Sequence, residues 1–393
     1  MSVKVELHMI QNFAPSCLNR DDVNAPKECQ FGGVRRARIS SQCIKRSIRT
    51  YWSERGLLAG NRAVRTRRLI EEVARRLEAK GKDIDSSRGL VELALTTAGV
   101  GARQGATEYL LFVSERAVSG LVEAIREHWD DLAGALAEVS GAGEGQTARR
   151  KKGESAGLPD QVRRAVAAIF DTFKAADIAL FGRMVADAPE RNVDAACQVA
   201  HAISTHRVSA EIDFYSAVDD LQPKEETGAG MLGTVEFNSA CFYRYALVDM
   251  GQLCWNLEGD GDLAVDVLKA FVEGSVKAIP SGKQNSMAAH NPPSLVMAVV
   301  RPTGAPWSLA NAFEDPVRPA HSGGGLVAQS IRRLDEYWGK LKRVYGEDGI
   351  AKSVYLLVDD VDVKNLGDKV ETLQNLIEQV VVAVKGDSRW ASC

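Results

Sequence analysis

The spacing of the strand-like segments limits the fold of this chain more than any other feature of its sequence. Apolar and polar residues alternate from Val3 to Met9, and this period of two indicates a half-buried strand. The next strand-like stretch comes only at about 235–248, after a long region whose patterns are mainly helical. Strand and helix patterns then alternate, which predicts an α+β body of the split-βαβ type with long insertions. The later elements are predicted as helices at 262–278, 326–343 and 368–385 and as strands at 294–301 and 353–358.

The long region before the second strand divides into parts of different character. Helical patterns dominate from about 62 to 140, a Gly-rich, basic stretch at 141–153 indicates a loop, and an Ala-rich helix is predicted at about 193–205. From His206 to Thr234 the pattern is no longer helical and indicates an extended arm. We therefore expect a body built from 1–60 and 235–393, a helical region at 61–205 and an arm at 206–234.

Positive charge is concentrated in one segment of the chain. The net charge of the 393 residues is −3, yet Arg35–Lys80 holds 14 Lys and Arg against 4 Asp and Glu, a local balance of +10. A phosphate-tracking surface needs such a concentration because screening limits the field of a charge to about 10 Å. A solvated pair of Arg-rich helices would show the same count, so charge alone leaves both interpretations open.

The start of a predicted helix lies inside this basic segment. Ser40 or Ser41 is the expected N-cap of a helix that ends near Arg55 and buries Ile44, Ile48 and Trp52 on one face. Helix N-termini attract phosphates through their unpaired N–H groups and the helix dipole. The basic side chains around this start therefore favour nucleic-acid binding, although a capped helix with a basic exterior remains the alternative.

A series of short motifs carries a family resemblance. They are Ser16–Asp22, Phe31–Gly33, Arg38–Gln42, Lys45-Arg46, Asp177–Met184, His201–His206, Asp213–Leu221, Gly233–Phe237, Phe242–Tyr245, Gly282–Gln284 and Ala310–Glu314. In residue type and order they resemble the motifs of the CasC family, the RNA-binding backbone subunits of the type I-E CRISPR Cascade surveillance complex. The last fifth of the chain and the 141–153 loop add little to this resemblance.

The resemblance implies an architecture and a set of partners. The body would be an RRM- or ferredoxin-like palm, the helical region a fingers insertion and the arm a thumb. Copies of the subunit would stack head-to-tail along the spacer of a CRISPR guide RNA. Each thumb would displace one nucleotide and leave the bases between thumbs free to pair with a target DNA strand. Further partners would be the large, small, guide-end-capping and guide-processing subunits of the complex, with no membrane involved.

Two groups of residues are the predicted contacts to RNA. A backbone subunit must hold any spacer sequence, so its contacts should go to phosphates, riboses and base faces. The predicted RNA-binding residues are Asn19, Arg20, Lys27, Arg38, Ser40, Gln42, Lys45, Arg46, Arg49, Lys283 and Gln284. The predicted thumb residues and nucleotide wedges are Met184, His206, Phe214, Tyr215, Met231 and Leu232, because apolar side chains can interrupt base stacking.

Two other classes of function compete with this interpretation. Related backbone subunits of other CRISPR types cut RNA, and Asp21-Asp22, Asp219-Asp220 and Asp359-Asp360 are candidate carboxylates for a metal-dependent nuclease. Adjacent aspartates on a strand point to opposite faces, so they chelate poorly as a pair. We expect no catalysis, no metal and no cofactor. The other competitor is a scaffold whose basic segment faces acidic protein partners.

The cellular location is inferred from what the sequence lacks. The seven cysteines include no Cys-x-x-Cys pair and are interpreted as reduced thiols. The first residues alternate in polarity and offer no apolar core of a signal peptide. We therefore expect a cytoplasmic protein.

Overall fold

The computed structural model describes residues 2–97, 99–103, 105–141, 159–168, 175–184, 192–217, 231–319 and 324–390. The basic loop predicted at 141–153 therefore lies, apart from its first residue, outside the described residues. Two compact units make up the chain. Unit 1 consists of Met1–Leu57, Ala196–Trp255 and Asp260–Cys393, and unit 2 of Leu58–Ala195 and Asn256–Gly259.

Strands occur in both units. The strands are β1 Lys4–Ser16, β2 Glu28–Phe31, β3 Val34–Ile39, β4 Ala63–Thr66, β5 Ala102–Arg103, β6 Ala106–Thr107, β7 Leu111–Ser114, β8 Cys197–Val199, β9 Ala202–Ser204, β10 Glu211–Ala217, β11 Met231–Asp249, β12 Leu295–Arg301, β13 Lys352–Leu357 and β14 Asp368–Lys369. Ten of them form the sheet of unit 1, in the order β14-β13-β12-β1-β11-β9-β3-β2, with β8 and β10 also paired to β11. The pairing is antiparallel except between β13 and β14.

Helices follow the predicted pattern in most places. The helices are α1 Ser41–Glu54, α2 Leu69–Glu78, α3 Ile84–Thr97, α4 Glu115–Glu127, α5 Trp129–Gly141, α6 Asp160–Ala168, α7 Ala176–Phe181, α8 Met250–Asn256, α9 Gly261–Lys277, α10 Gln284–Met287, α11 Leu326–Tyr345 and α12 Leu373–Lys385, and Ala310–Phe313 forms a 3-10 helix. The α+β fold predicted from the spacing of strands and helices is confirmed. No helix in the described ranges is long and apolar enough to cross a bilayer.

The first strand is buried more deeply than its alternating pattern predicts. It lies in the middle of the sheet, paired with β11 on one side and β12 on the other. Helices cover both faces: α11 packs on the face of His8, whose ring lies 6.2 Å from that of Trp338, and α12 packs on β12. Glu6 and His8 are therefore fully buried, and the prediction of a half-buried strand is wrong.

The buried Glu6 carboxylate on β1 is satisfied by partners that are remote in sequence. Arg301 Nε donates to Glu6 Oε1 at 2.7 Å, the backbone N–H of Trp307 donates to Glu6 Oε2 at 2.7 Å, and the Tyr245 hydroxyl donates to the same oxygen at 3.1 Å. Three donors compensate the charge of a carboxylate that has no access to water, as a buried ion requires. Glu6, one of the polar residues of the alternating pattern, therefore bonds to groups inside the protein instead of facing solvent.

The Ala-rich segment predicted as a helix at 193–205 is not helical. It forms β8, which pairs with β11 from Ala246 to Val248, and β9, which pairs with both β11 and β3. Alanine favours helices intrinsically, but the propensity of a short segment is small compared with the hydrogen bonds that a neighbouring sheet edge offers. Strand pairing in the folded protein therefore determined the secondary structure of this segment.

The chain after residue 206 is extended, as its sequence pattern predicted, and forms a β-hairpin. β10 pairs with the first part of β11, from Glu211 opposite Phe237 to Ala217 opposite Met231. β11 is 19 residues long, so the same strand belongs to the central sheet and to the hairpin. Residues 218–230, between the two strands, lie outside the described residues.

Unit 2 is built mainly from helices around its own core. Apolar residues of α2, α3, α4 and α6, such as Val73, Leu95, Leu121 and Val162, form one buried cluster. Two short antiparallel pairs, β4 with β7 and β5 with β6, complete the unit.

The prediction that all seven cysteines are reduced is wrong, because one of them takes part in a disulfide. Cys17, Cys29, Cys43, Cys197 and Cys241 carry free thiols, whereas Cys254 is disulfide-bonded. Sequence spacing could not reveal this, because a disulfide depends on the distance in space between two Cα atoms.

Candidate nucleic-acid interface

The N-terminus of α1 is organised by two of the predicted RNA-binding residues. The Ser40 hydroxyl accepts a hydrogen bond from the Cys43 N–H at 3.3 Å, which confirms Ser40 as the N-cap. The Ser40 N–H in turn donates to Asn19 Oδ1 at 2.8 Å. These oxygens are engaged within the protein and Ser40 is buried, so the Asn19 amide nitrogen is the more accessible group of this pair.

Helix α1 divides its residues between core and surface as predicted. Ile44, Ile48 and Trp52 are buried, and the Trp52 indole N–H donates to the Ala270 carbonyl oxygen at 2.8 Å. A helix anchored in this way holds its remaining side chains in fixed directions. On those sides Gln42 and Arg46 are exposed and Lys45 and Arg49 are half-buried.

A cleft of about 560 Å³ runs beside this helix within unit 1. Its walls bring together residues from two segments that are distant in sequence. Asn19 and Arg20 come from the loop after β1, and Arg46 comes from α1. Arg20 is held there by a hydrogen bond from Nη1 to Asn24 Oδ1 at 3.2 Å. The other lining residues include Lys277, His290 and the acids Asp21 and Glu54.

Gly282 of the Gly282-Lys283-Gln284 motif lines the same cleft. A Cβ on Gly282 would overlap the backbone carbonyl oxygen atoms of Cys17 and Leu18, so only glycine allows this approach. Lys283 has a left-handed backbone with φ of 53°, a conformation that a non-glycine residue adopts at a cost. Gln284 Nε2 donates to the carbonyl oxygen atoms of Pro280 at 3.0 Å and Ala289 at 3.3 Å, which holds the loop closed.

A second basic group lies near the strand that precedes α1. Arg38 Nε donates to the Glu28 carbonyl oxygen at 3.3 Å, and Arg38 Nη1 lies 3.0 Å from His201 Nδ1. Partial burial lowers the pKa of His201, and the charges of Arg38 and Lys27 lower it further. His201 thus stands among cations. It was not a predicted site residue, although it begins the His201–His206 motif.

Cys43 connects the two basic groups. Burial raises the pKa of its thiol, and the nearby charges of Arg46 and Lys27 oppose that rise. Arg46 belongs to the cleft and Lys27 to the second group, so positive charge continues across the start of α1. Six of the eleven predicted residues lie on or beside this surface: Asn19, Arg20, Lys27, Arg38, Ser40 and Arg46. Lys283 and Gln284 follow Gly282 at the cleft, whereas Gln42, Lys45 and Arg49 lie on α1 and do not line the cleft.

Part of the basic segment counted in the sequence is structural. Arg36 is fully buried, and its guanidinium donates to the carbonyl oxygen atoms of Phe31, Ser204, Phe313 and Glu314 at 2.7 to 3.2 Å. Arg35 pairs with Glu28 at 3.2 Å. The local balance of +10 therefore overstates the charge that a ligand meets.

The hairpin exposes large apolar side chains. Phe214 is 77% exposed, Ile212 59% and Tyr215 45%. Tyr215 lies opposite Gly233 in the strand register, and a Cβ on Gly233 would overlap the tyrosine ring. Glycine here lets the ring lie across the hairpin. The backbones of Met231 and Leu232 pair with Ala217 and Ser216.

His206 sits where the hairpin joins the sheet and is held there by both ring nitrogens. Nδ1 lies 2.8 Å from the Arg207 carbonyl oxygen, and Nε2 accepts from the Cys241 N–H at 3.1 Å. Burial lowers the pKa of His206, which fits a neutral ring with one donor and one acceptor. These contacts give His206 a positioning role; its predicted role as a wedge stays a prediction.

Met184 belongs to unit 2 and is 84% exposed. It follows Gly182, which has a φ of 78°, and Arg183, whose backbone N–H and carbonyl both pair with Val193. A fixed backbone therefore presents this exposed thioether.

The aspartates that a metal-dependent nuclease would need do not form a metal site among the described residues. Asp21 Oδ1 accepts from the N–H groups of Val23 at 3.0 Å and Ala25 at 2.9 Å, so it caps the loop. Asp359 and Asp360 are exposed, and Asp219 and Asp220 lie outside the described residues. Across the part of the chain that the structure describes, no three His, Cys, Asp or Glu side chains are grouped to hold a metal ion.

Two solved chains are similar to this protein over nearly its whole length. One solved chain of a "CRISPR RNA-guided surveillance complex, pre-nicking" is similar with 31% identity and a TM-score of 0.82, over 97% of this chain and 100% of that chain. A chain of another "CRISPR RNA-guided surveillance complex" is similar with 28% identity and a TM-score of 0.71, over 97% of this chain and 99% of that one. A search of curated proteins found no match.

The family model described as "CT1975-like protein" matches residues 5–380, which is nearly the whole chain and includes both units. This protein therefore belongs to the CT1975-like family.

Proposed function

We propose that this protein is a non-catalytic backbone subunit of a Cascade-type surveillance complex that binds the spacer of a CRISPR guide RNA. The observation that carries the proposal is the continuous basic surface of unit 1, which runs from Arg20 and Arg46 past Cys43 to Lys27 and Arg38. The two similar solved chains belong to RNA-guided surveillance complexes, which supports RNA as the ligand of that surface. Assignment to the CasC branch of type I-E is part of the proposal.

The chemistry of this surface suits binding without sequence preference. Guanidinium and ammonium groups bind phosphates, and the Ser40 hydroxyl and the Asn19 and Gln42 amides can bond to riboses or phosphates. Recognition of sequence would then be left to base pairing between the guide and a target DNA strand, as in other RNA-guided effectors.

The hairpin of β10 and β11 is the proposed thumb. Phe214 and Tyr215 would press against bases of the guide and displace one nucleotide, since exposed rings can replace a stacked base. The sheet of unit 1 would serve as an RRM-like palm and the helical unit 2 as the fingers, with Met184 against the displaced nucleotide. Met231 and Leu232 would continue the apolar surface of the thumb.

Assembly along the guide follows from the same proposal. A subunit that binds a few nucleotides and contacts its neighbour through two different surfaces forms an open, head-to-tail filament. The large, small, guide-end-capping and guide-processing subunits would join this filament. The assembled complex would act in the cytoplasm. The engagement of Asp21 in a turn supports a subunit without nuclease activity.

The test is a titration of labelled guide RNA at several salt concentrations, with the wild type and the Lys45→Ala/Arg49→Ala variant. Each phosphate neutralised on a single strand contributes about 0.7 to the slope of log K against log salt, so loss of two contacts should flatten the slope by roughly 1.4. Wild-type affinity should not change when the spacer sequence is scrambled.

A matched control removes the same charge elsewhere in unit 1. Lys340→Ala/Arg343→Ala changes two exposed cations of α11 that are not in the proposed interface and should leave the slope unchanged. Equal slopes for all three proteins would show that Lys45 and Arg49 do not contact the guide. Arg20→Ala/Arg46→Ala, which removes two cations of the cleft itself, would then have to flatten the slope, and an unchanged slope in that variant as well would refute RNA binding at this surface. Guide cleavage that requires Mg²⁺ and is lost in Asp22→Asn would establish the nuclease instead.

A further inference from the structure

Arg244 of unit 1 is a buried cation without an acidic partner. It lies on β11 with 6% of its surface exposed, and burial lowers its pKa to about 10. No carboxylate in the described part of the chain pairs with it or opposes that shift. Its guanidinium instead donates from Nη1 to Gln11 Oε1 at 2.6 Å. Because a buried charge without a counter-charge is costly, the bond to Gln11 needs an explanation.

Gln11 connects Arg244 to a loop. It is fully buried on β1, and its Nε2 donates to the Asn291 carbonyl oxygen at 2.7 Å. A guanidinium can only donate hydrogen bonds, so Arg244 fixes the amide oxygen of Gln11 on its own side and turns the amide nitrogen towards Asn291. Asn291 Oδ1 also accepts from the Ala14 N–H at 3.2 Å. The first strand therefore holds Asn291 at two points.

The 282–291 loop, which ends at Asn291, has a strained backbone. Lys283 and Ala288 flank α10 and have φ values of 53° and 48°, a left-handed conformation that residues other than glycine adopt at a cost. Within the loop Gln284 Nε2 donates to the Ala289 carbonyl oxygen at 3.3 Å. Such strain persists only where surrounding contacts hold it, and β1 supplies contacts of this kind at Asn291.

The strained loop carries a cation of the proposed interface. Burial raises the pKa of the Cys17 thiol, and the charges of Arg20 and Lys283 both oppose that rise. Lys283 therefore lies close to Cys17, as Arg20 does. His290, near the other end of the loop, lines the cleft. The positions of both loop side chains depend on the conformation of the loop backbone.

We propose that Gln11, oriented by Arg244, is a positioning residue that holds the 282–291 loop in the conformation in which Lys283 contacts the guide RNA. This role rests on the proposed function, in which guide RNA is the ligand of the cleft. Gln11 and Arg244 are buried and do not touch RNA themselves. Gln11 acts through Lys283, so its effect on binding disappears once Lys283 is removed.

Gln11→Glu separates positioning from folding. A carboxylate at this position accepts from Arg244 and gives the buried cation a counter-charge, but it cannot donate to the Asn291 carbonyl oxygen. The urea midpoint should therefore not fall below that of the wild type. In a titration of labelled guide RNA at several salt concentrations, the slope of log K against log salt should be flatter by about 0.7, the value for one phosphate contact on a single strand.

A double-mutant cycle with Lys283→Ala identifies the route of the effect. Lys283→Ala alone should flatten the slope by about 0.7, and Gln11→Glu added to it should change the slope no further, because that contact is already lost. Effects that add to about 1.4 would overturn the proposal, since Gln11 would then act on other contacts. Asn12→Asp is the matched control: it makes the same change of charge on the opposite face of β1 and should leave the slope unchanged.

Hydrogen exchange of the RNA-free protein tests the loop directly. The N–H groups of Met287, Ala288 and His290 donate to carbonyl oxygen atoms of the loop itself at 2.8 to 3.0 Å. They should exchange several-fold faster in Gln11→Glu, while the amides of α9 keep their wild-type rates. Asn291→Ala removes the bond to the Ala14 N–H at a half-buried position and should act in the same direction even if Gln11→Glu folds poorly. Unchanged exchange in both variants would overturn the proposal.

Failure of this proposal is distinguishable from failure of the proposed function. A wild type that does not bind guide RNA would overturn the proposed function and the role of Gln11 with it, whatever the exchange rates of the loop. A wild type that binds with the expected salt dependence, together with a Gln11→Glu variant of unchanged slope and unchanged exchange, would overturn the role of Gln11 alone.

Discussion

Lowering the pH should destabilise unit 1 through one buried histidine. His8 is fully buried in β1, with Nδ1 2.9 Å from the Tyr243 hydroxyl and its ring 5.1 Å from that of Tyr245 and 6.2 Å from that of Trp338. Burial, together with the charge of Arg301, lowers the pKa of His8 to about 3. Because the unfolded chain takes up this proton near pH 6.5, the free energy of unfolding decreases as the pH falls below that value.

The magnitude follows from the difference between the two pKa values. One group contributes a slope of up to about 1.4 kcal/mol per pH unit between its folded and unfolded pKa, so from about pH 7 to about pH 5 His8 should remove about 2 kcal/mol. The assay is urea unfolding followed by tryptophan fluorescence, which includes buried Trp338 beside the His8 ring. Other titrating groups contribute to the total pH dependence, so the decisive quantity is a difference between proteins.

His8→Gln supplies that difference. Glutamine can still bond to the Tyr243 hydroxyl but does not titrate, so its loss of stability over the same pH interval should be smaller than that of the wild type by about 2 kcal/mol. Identical losses in the two proteins would refute the reasoning, since His8 would then have the same pKa in the folded and unfolded chain.

Two further substitutions test the contacts between distant segments. Arg301→Met leaves the Glu6 carboxylate buried without its cation and should lower the free energy of unfolding by about 3–5 kcal/mol, and Glu6→Gln added to it should recover part of that loss in the same urea assay. Gly282→Ala forces a Cβ into the Leu18 carbonyl and should cost about 1–3 kcal/mol and weaken guide binding, as measured by denaturation and RNA titration. Gly120→Ala in α4, where nothing lies near the added Cβ, is the control and should be neutral or stabilising.

Local signals in the sequence were sufficient for much of the candidate interface. The N-cap at Ser40 and the spacing of Ile44, Ile48 and Trp52 predicted α1 and its buried face, because a helix repeats every 3.6 residues and hides one stripe. The non-helical pattern after His206 likewise indicated an extended arm, and strands β10 and β11 pair there. These features depend on residues that are close in sequence.

Local sequence patterns could not predict the pairing between segments that are distant in the chain. The Ala-rich segment became β8 and β9 because β11 and β3 offered hydrogen bonds, and Glu6 is buried because Arg301, Trp307 and Tyr245 surround it. Similarly, a count of charges could not separate buried Arg36 from exposed Arg46.

The sequence by itself determined the α+β class, the α1 helix and the chemical nature of the basic surface. Only the tertiary structure decided which cations face solvent and that Gly282 lies against the backbone of Cys17 and Leu18, at the cleft that Arg20 also lines. The physical reason is that helices and turns are set by neighbours in the chain, whereas burial and charge pairing depend on groups hundreds of residues apart that meet only in the folded protein.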